Sequence, residues 1–151
     1  MTSPISRRSD ANPIAGSAAD RSSVPRRLLV DTDVLIDYLR ERQEAVDYLE
    51  SRREPLVTSA IVAAELFAGV RDGAERDALE SLLEAFEVVP IDAQIAERGG
   101  LWRRDYAPTH GVGLADALIA ATADRANAAL VTLNDKHFPM LRDVVVPYAK
   151  S

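Results

Sequence analysis

The chain of 151 residues contains no cysteine, and this absence removes several classes of site at once. Disulfides, thiolate zinc sites and cysteine nucleophiles are excluded. Only two histidines are present, His110 and His137, so a histidine-rich metal centre is excluded as well. Any metal ion must therefore be held by oxygen ligands, which favours Mg²⁺ or Mn²⁺.

Long apolar runs are also missing. The sequence has neither the roughly 7 to 15 consecutive apolar residues of a secretory signal nor the roughly 20 of a membrane span. We therefore expect a protein with no membrane partner.

Positive charge is scarce outside the first residues. Five of the arginines lie within residues 1–27, so the rest of the chain carries a formal charge of -9 out of a total of -6. A domain this acidic does not attract nucleic acid through its overall charge, because phosphate contacts require Lys and Arg. It can bind through local arginine clusters, or through metal ions that reverse the sign of the field at an acidic site.

The composition divides the chain into two parts. Residues 1–25 are rich in Ser, Ala, Pro and Arg without apolar periodicity, which predicts a disordered extension. Residues 26–151 are long enough for one domain with a substantial core, and no internal repeat is present.

Within this domain, short apolar segments alternate with helical patterns. We predict strands near residues 28–30, 56–58, 88–91, 129–132 and 144–146, with helices between them. The helix that begins after Asp92 is expected to be interrupted at Gly99-Gly100. Alternation of this kind predicts the α/β class: a three-layer α/β/α sandwich with a central, mostly parallel sheet of four to five strands.

Two carboxylates follow the first strand, in the order Asp31-Thr32-Asp33. Carboxyl ends of parallel strands are where ligands bind in open α/β sheets. An Asp at such a junction is often only a helix cap, but Asp33 stands directly before the predicted helix and is the better cap. Asp31 is then left for function.

Three further acids lie where the predicted topology opens a site, and each has an alternative interpretation. Glu65 has apolar neighbours at helical spacing, so it is expected to project from an apolar stripe, or else to reach solvent at the stripe's margin. Asp116 opens a helix of small residues, where the helix dipole alone favours an acid. Asp135 follows the fourth strand, where an Asn-Asp pair often forms only a turn.

Considered together, these carboxylates would repel one another strongly in a partly buried pocket. A divalent cation relieves such repulsion, and Mg²⁺ uses one or two carboxylates, water and substrate phosphate as ligands. The implied chemistry is metal-assisted phosphoryl transfer or phosphodiester hydrolysis.

Four segments resemble, in order and spacing, the PIN-domain ribonucleases of the VapC toxin type: residues 29–36, 59–70, 114–123 and 131–138. The resemblance implies a PIN-like fold and a Mg²⁺-dependent endoribonuclease, for which Mn²⁺ can substitute. It also implies a cytoplasmic toxin that cleaves RNA, is inhibited by a VapB-type antitoxin and forms a homodimer.

Carried over by position, the resemblance makes Asp31, Asp116 and Glu65 metal ligands and catalytic residues. The fourth family position falls on Asn134, with Asp135 next to it, so either residue is a candidate and Asp135 completes the predicted acidic set. Hydroxyls of Thr32, Ser59 and Thr132 are candidates for orienting these ligands, or for ordinary caps and strand ends.

Two other functions stay open on the sequence alone. A haloacid-dehalogenase-like phosphotransferase also begins with a strand and Asp-x-Asp, but it needs a phosphate-binding lysine, and only Lys136 and Lys150 are present. A non-catalytic α/β protein that acts through a binding partner is the second alternative. His137-Phe138 is interpreted as a packing anchor.

Overall fold

The structure is a computed structural model that describes residues 26–149. The predicted N-terminal extension, residues 1–25, lies outside the described residues. Strands and helices follow in the order β1 (Arg27–Val30), α1 (Thr32–Leu39), α2 (Gln43–Glu50), β2 (Leu56–Ser59), α3 (Ala60–Ala68), α4 (Ala74–Glu84), β3 (Glu87–Val89), α5 (Ala93–His110), α6 (Leu114–Arg125), β4 (Ala128–Val131), a 3₁₀ turn (Asp135–His137) and β5 (Val144–Val145).

All five strands form one parallel sheet in the order β3-β2-β1-β4-β5. The prediction of an α/β fold with a parallel sheet is confirmed. Strand β3 lies at one edge, as expected from the proline that follows it, since proline cannot donate to a neighbouring strand. The described helices include none long and apolar enough to cross a membrane.

The connections place helices on both faces of the sheet. The crossovers from β1 to β2 and from β2 to β3 run in one direction along the sheet and carry α1 to α4, and such crossovers are right-handed as a rule. The crossover from β3 to β4 runs in the opposite direction and carries α5 and α6. The sheet between them is buried: Leu29, Val30, Leu130 and Val131 are fully enclosed, which explains the uninterrupted apolar runs of β1 and β4.

Helix α5 corrects one prediction. It is continuous over 18 residues and passes through Gly99-Gly100 and Pro108 without a break. Gly99 is buried against α6, and a Cβ atom there would lie 2.6 Å from Cδ2 and 3.2 Å from Cα of Leu118. Glycine at this position therefore permits close packing of two helices, a role that the sequence pattern does not distinguish from a helix break.

Two predicted helix caps are confirmed. The Ser59 hydroxyl accepts a hydrogen bond from the Ile61 backbone N–H, and Asp92 accepts one from the Ile95 N–H at 2.8 Å. Ser59 ends β2 and begins α3 without an intervening loop, so α3 starts at the carboxyl edge of the sheet.

Candidate active site

The two central strands, β1 and β4, end side by side at the same edge of the sheet. Val30 pairs with Val131, and the Asp31 N–H donates to the Val131 carbonyl at 2.9 Å. Crossovers leave this pair of strands in opposite directions, which opens a crevice beyond their carboxyl ends. The next residues of the two strands, Asp31 and Thr132, therefore face each other at the place where α/β proteins bind ligands.

Asp31 is a buried carboxylate that accepts two hydrogen bonds. Its Oδ1 accepts from the Thr32 N–H and its Oδ2 accepts from the Thr132 hydroxyl, both at 2.8 Å. It is also the N-cap residue of α1, so the prediction that Asp33 is the cap was wrong. The strand ends at Val30 and the helix begins at Thr32, which leaves Asp31 as the one residue between them.

Asp33 lies in the first turn of α1 and connects the two strand ends. Its Oδ1 accepts from the Val34 N–H at 2.7 Å, and its Oδ2 accepts from the Leu133 N–H at 3.0 Å. The second carboxylate of the Asp-x-Asp pair therefore fixes the backbone that follows β4. No sequence pattern indicates this contact, because Leu133 is 100 residues away in the chain.

The environment of Asp31 disfavours its charge. Burial, followed by the negative charge of Asp33, raises the pKa of Asp31 from 3.8 to about 7. The charge of Asp116 also raises this pKa, whereas the hydrogen bonds from Thr132 and Thr32 lower it. A nearby positive charge would therefore favour the ionised form of Asp31.

Glu65, on α3, is joined to the same site through Thr32. The Thr32 hydroxyl donates to Glu65 Oε1 at 2.8 Å, while the Thr32 N–H donates to Asp31. The expectation that Glu65 projects from a buried apolar stripe was wrong. Glu65 is exposed together with Ala64, Ala68 and Gly69, because α3 buries Val62 and Leu66 on its other side.

Asp116, in the first turn of α6, contacts His137. Its Oδ2 lies 3.1 Å from Nδ1 of His137. The packing-anchor interpretation holds for Phe138, which is buried, but not for His137, which is exposed and directed at Asp116. In the sequence, the only indication of this contact is that His137 directly precedes the apolar residue Phe138 in the turn after β4.

The other predicted positions contribute less contact. Asp135 is exposed in the 3₁₀ turn, and Asn134 is exposed with its N–H donating to the Thr132 hydroxyl at 3.1 Å. Of the candidate hydroxyls, Thr32 and Thr132 contact site acids, whereas Ser59 accepts from Ile61 and from Thr122. The structure therefore links Asp31 and Glu65 through Thr32, places Asp116 where its charge acts on Asp31, and leaves Asp135 exposed in the turn.

The carboxylate oxygens of this site suit a hard divalent cation as ligands. In the arrangement described, residues 26–149 hold no group of three or more His, Asp or Glu side chains that by itself could hold a metal ion. The oxygen chemistry nevertheless fits: the carboxylates of Asp31, Glu65 and Asp116 are ligands that Mg²⁺ and Mn²⁺ prefer. Burial, followed by the charges of Asp33 and Asp116, raises the pKa of Asp31, and a bound cation would offset this cost.

A separate cavity of about 460 Å³ lies between α5 and the second half of α6. Its lining includes Arg98, Trp102 and Asp124, and none of the predicted site acids. The guanidinium of Arg98 lies 5.4 Å from the Trp102 ring centre and pairs with Asp124 at 3.3 Å. This cavity is therefore distinct from the acidic site.

Comparison with known proteins places most of the described domain in one family. A sequence model of the family described as "PIN domain" matches residues 28–143. The chain is similar to Ribonuclease VapC10 of Mycobacterium tuberculosis, with 46% identity over 125 residues that cover 81% of this chain and 93% of the relative.

Solved structures agree. A toxin–antitoxin complex from Klebsiella pneumoniae contains a chain of similar fold, with a TM-score of 0.71 and 32% identity over 82% of this chain and 99% of that one. VapBC2 from Rickettsia felis, bound to a DNA fragment from its promoter, gives a TM-score of 0.66 and 25% identity over 79% and 96% of the two chains.

Proposed function

This chain belongs to the PIN-domain family, and we propose from that membership that its acidic site hydrolyses RNA phosphodiester bonds with a bound divalent cation. It is an endoribonuclease of the VapC type, the toxin of a toxin–antitoxin system. The cation proposed is Mg²⁺, with Mn²⁺ as a substitute, and the residues proposed to hold it are Asp31, Glu65, Asp116 and, at the rim, Asp135.

The position of Asp31 is the observation that carries this proposal. A carboxylate buried at the end of a central strand, with two donors on it and two further carboxylates whose charges act on it, is costly in a protein without a cation. A divalent ion at this point neutralises the cluster. When bound, it lowers the pKa of a water and offsets the charge of a phosphate.

The side chains of this chain have separable tasks in the proposed reaction. Asp31 supplies a ligand oxygen whose direction is fixed by Thr132 and Thr32. Glu65 and Asp116 complete the acidic set from α3 and α6, and the Thr32 hydroxyl holds Glu65 toward the strand end. The exposure of Glu65 leaves room for a polynucleotide to approach from solvent.

The partners follow from the same family. The structural relatives are toxin–antitoxin complexes, and a VapB-type antitoxin is the partner of this chain. We further propose that RNA is its substrate, that the active form is a homodimer, and that it acts in the cytoplasm, where its substrate is available.

The test is cleavage of RNA by the purified full chain, freed from its antitoxin, with Mg²⁺ or Mn²⁺ and with EDTA. Wild-type protein is expected to cleave only with a metal ion, and Asp31→Asn and Asp116→Asn are expected to lose at least about 100-fold in rate. Asp105→Asn is the matched control, since Asp105 is an exposed acid paired with Arg104 on α5.

Sequencing RNA ends after brief expression in cells identifies the cleaved sites. New ends that depend on Asp31 support the proposal, whereas equal cleavage by Asp31→Asn, or cleavage unaffected by EDTA, contradicts it. Trapping of an aspartyl-phosphate would instead support the haloacid-dehalogenase-like alternative, and thermal stability unchanged by Mn²⁺ would support a non-catalytic binding protein.

A further inference from the structure

The segment after β4 contacts two of the site acids, by two different residues. Thr132 donates to Asp31 at 2.8 Å, and five residues later His137 Nδ1 lies 3.1 Å from Asp116 Oδ2. Asp31 follows a strand and Asp116 opens a helix, so these acids come from distant parts of the chain. One short segment therefore spans them.

This segment is held firmly in place. The Asn134 N–H donates to the Thr132 hydroxyl at 3.1 Å, and the His137 N–H donates to the Asn134 carbonyl at 3.0 Å. Directly after the turn, Phe138 is buried in the hydrophobic core. The imidazole of His137 is thus carried by a backbone that is fixed at both ends, as a residue that orients another must be.

The chemistry of the contact between His137 and Asp116 determines which ring nitrogen carries the hydrogen. An ionised carboxylate only accepts hydrogen bonds, so Nδ1 of His137 must carry the hydrogen and Oδ2 of Asp116 accepts it. This occupies one lone pair of Oδ2 and leaves Oδ1 for another partner. Histidine itself commonly carries its hydrogen on Nε2 when neutral, so the contact selects the less common tautomer.

We propose that His137 is a positioning residue that fixes the Asp116 carboxylate for the divalent cation. This inference rests on the proposed metal-dependent function and adds a residue to it. The segment after β4 thereby supplies a hydrogen-bond donor to Asp116.

The experiment measures Mn²⁺ binding to the full chain by the loss of the free-ion electron paramagnetic resonance signal. Loss of a residue that orients a metal ligand typically weakens binding 10- to 100-fold, so His137→Ala is expected to raise the Mn²⁺ Kd by about 10-fold or more. His137→Asn is expected to retain most of the affinity, because its amide nitrogen takes the place of Nδ1.

His110→Ala is the matched control, since His110 is the other histidine, is exposed at the end of α5, and contacts Thr109 and Tyr106. Its Kd is expected to equal that of wild type. In metal-free protein, the ¹⁵N spectrum of His137 at about pH 8 is expected to show the hydrogen on Nδ1. Urea unfolding in EDTA establishes that each variant is folded.

An unchanged or tighter Mn²⁺ Kd in folded His137→Ala overturns the inference, as does an Asn variant as weak as the Ala variant. If wild-type protein binds Mn²⁺ in this His137-dependent way but cleaves no RNA, the proposed function fails and the inference stands. If metal-dependent cleavage is present and His137→Ala leaves the Kd unchanged, the inference fails alone.

Discussion

Thr132 and Asp31, 101 residues apart in the chain, are joined by a 2.8 Å hydrogen bond between the ends of two adjacent strands. Both side chains are buried, and the same Thr132 oxygen also accepts from the Asn134 N–H. The sheet register, which sets Val30 opposite Val131, places the two residues together. The position of Asp31 against Thr132 is therefore a direct product of strand pairing.

Replacing Asp31 should change how the stability of the metal-free protein depends on pH. Burial and the charge of Asp33 raise the pKa of Asp31 from 3.8 to about 7, so the native state binds more protons than the unfolded state between these values. Its contribution to stability is full below about pH 4 and is lost as the pH rises through 7. Asp31→Asn removes this loss.

The stability of Asp31→Asn relative to wild type is expected to rise by a few kcal/mol between about pH 4 and about pH 8. Urea unfolding of both proteins in EDTA across this range measures it. Adding Mn²⁺ should raise the Tm of wild type and not of the variant. A difference that is constant with pH would contradict the assignment of the raised pKa.

Thr132→Val should destabilise the protein although it preserves shape. The change removes the donor to Asp31 and the acceptor for the Asn134 N–H, and the side chain is fully buried. We expect a loss of about 1 to 3 kcal/mol in the free energy of unfolding. Thr109→Val, at an exposed position on α5, serves as the control and should change it by less than about 0.5 kcal/mol.

Gly99 and Gly100 should respond in opposite directions to substitution by alanine. A Cβ at Gly99 meets Leu118 at 2.6 Å, whereas one at Gly100 meets nothing within 4 Å. Gly99→Ala is expected to cost about 1 to 3 kcal/mol through overpacking of α5 on α6. Gly100→Ala should stabilise by about 0.5 to 1 kcal/mol because alanine favours the helix.

Denaturant unfolding of the two variants provides the measurement. Equal stabilisation by both would mean that α5 and α6 are not in close contact at Gly99. Because the two positions are adjacent glycines in the same helix, a difference between the two variants reports packing against α6 and not helix propensity.

Tyr148→Phe should weaken the attachment of the C-terminal residues. The Tyr148 hydroxyl donates to Oδ2 of Asp37 at 2.9 Å, and Asp37 is buried at the end of α1. Burial and Asp37 raise the pKa of this Tyr148 hydroxyl, so it is neutral and able to donate at physiological pH.

Loss of this donor is expected to lower the free energy of unfolding by about 1 to 3 kcal/mol, measured by urea titration. Tyr106→Phe is the control, since Tyr106 is half-buried on α5 and contacts His110 by its ring. If both variants unfold alike, the Asp37 contact contributes nothing to stability.

Much of the fold could be predicted because its signals are local. The apolar runs of β1 and β4 are short, unbroken and flanked by helical patterns, and Ser59 and Asp92 have the side chains that cap helices. Errors arose where tertiary contact decides. The Gly99-Gly100 pair predicts a helix break because the sequence does not show Leu118 packed against Gly99.

The acidic site divides in the same way. Asp31 and Asp116 could be located from strand and helix ends, but the sequence did not show that Asp31 is itself the helix cap. Asp33 accepts from Leu133, a partner that only the register of β1 and β4 supplies. The contact of His137 could not be predicted for the same reason, since its partner Asp116 lies 21 residues earlier on another element.

The distance along the chain between Asp31 and Thr132 has a consequence for a protein that is toxic to the cell that makes it. During synthesis, Asp31 leaves the ribosome about a hundred residues before Thr132, and β1 has no β4 to pair with until then. A nascent or truncated chain that ends before Thr132 therefore lacks both the β1–β4 pairing and the hydrogen bond that orients Asp31.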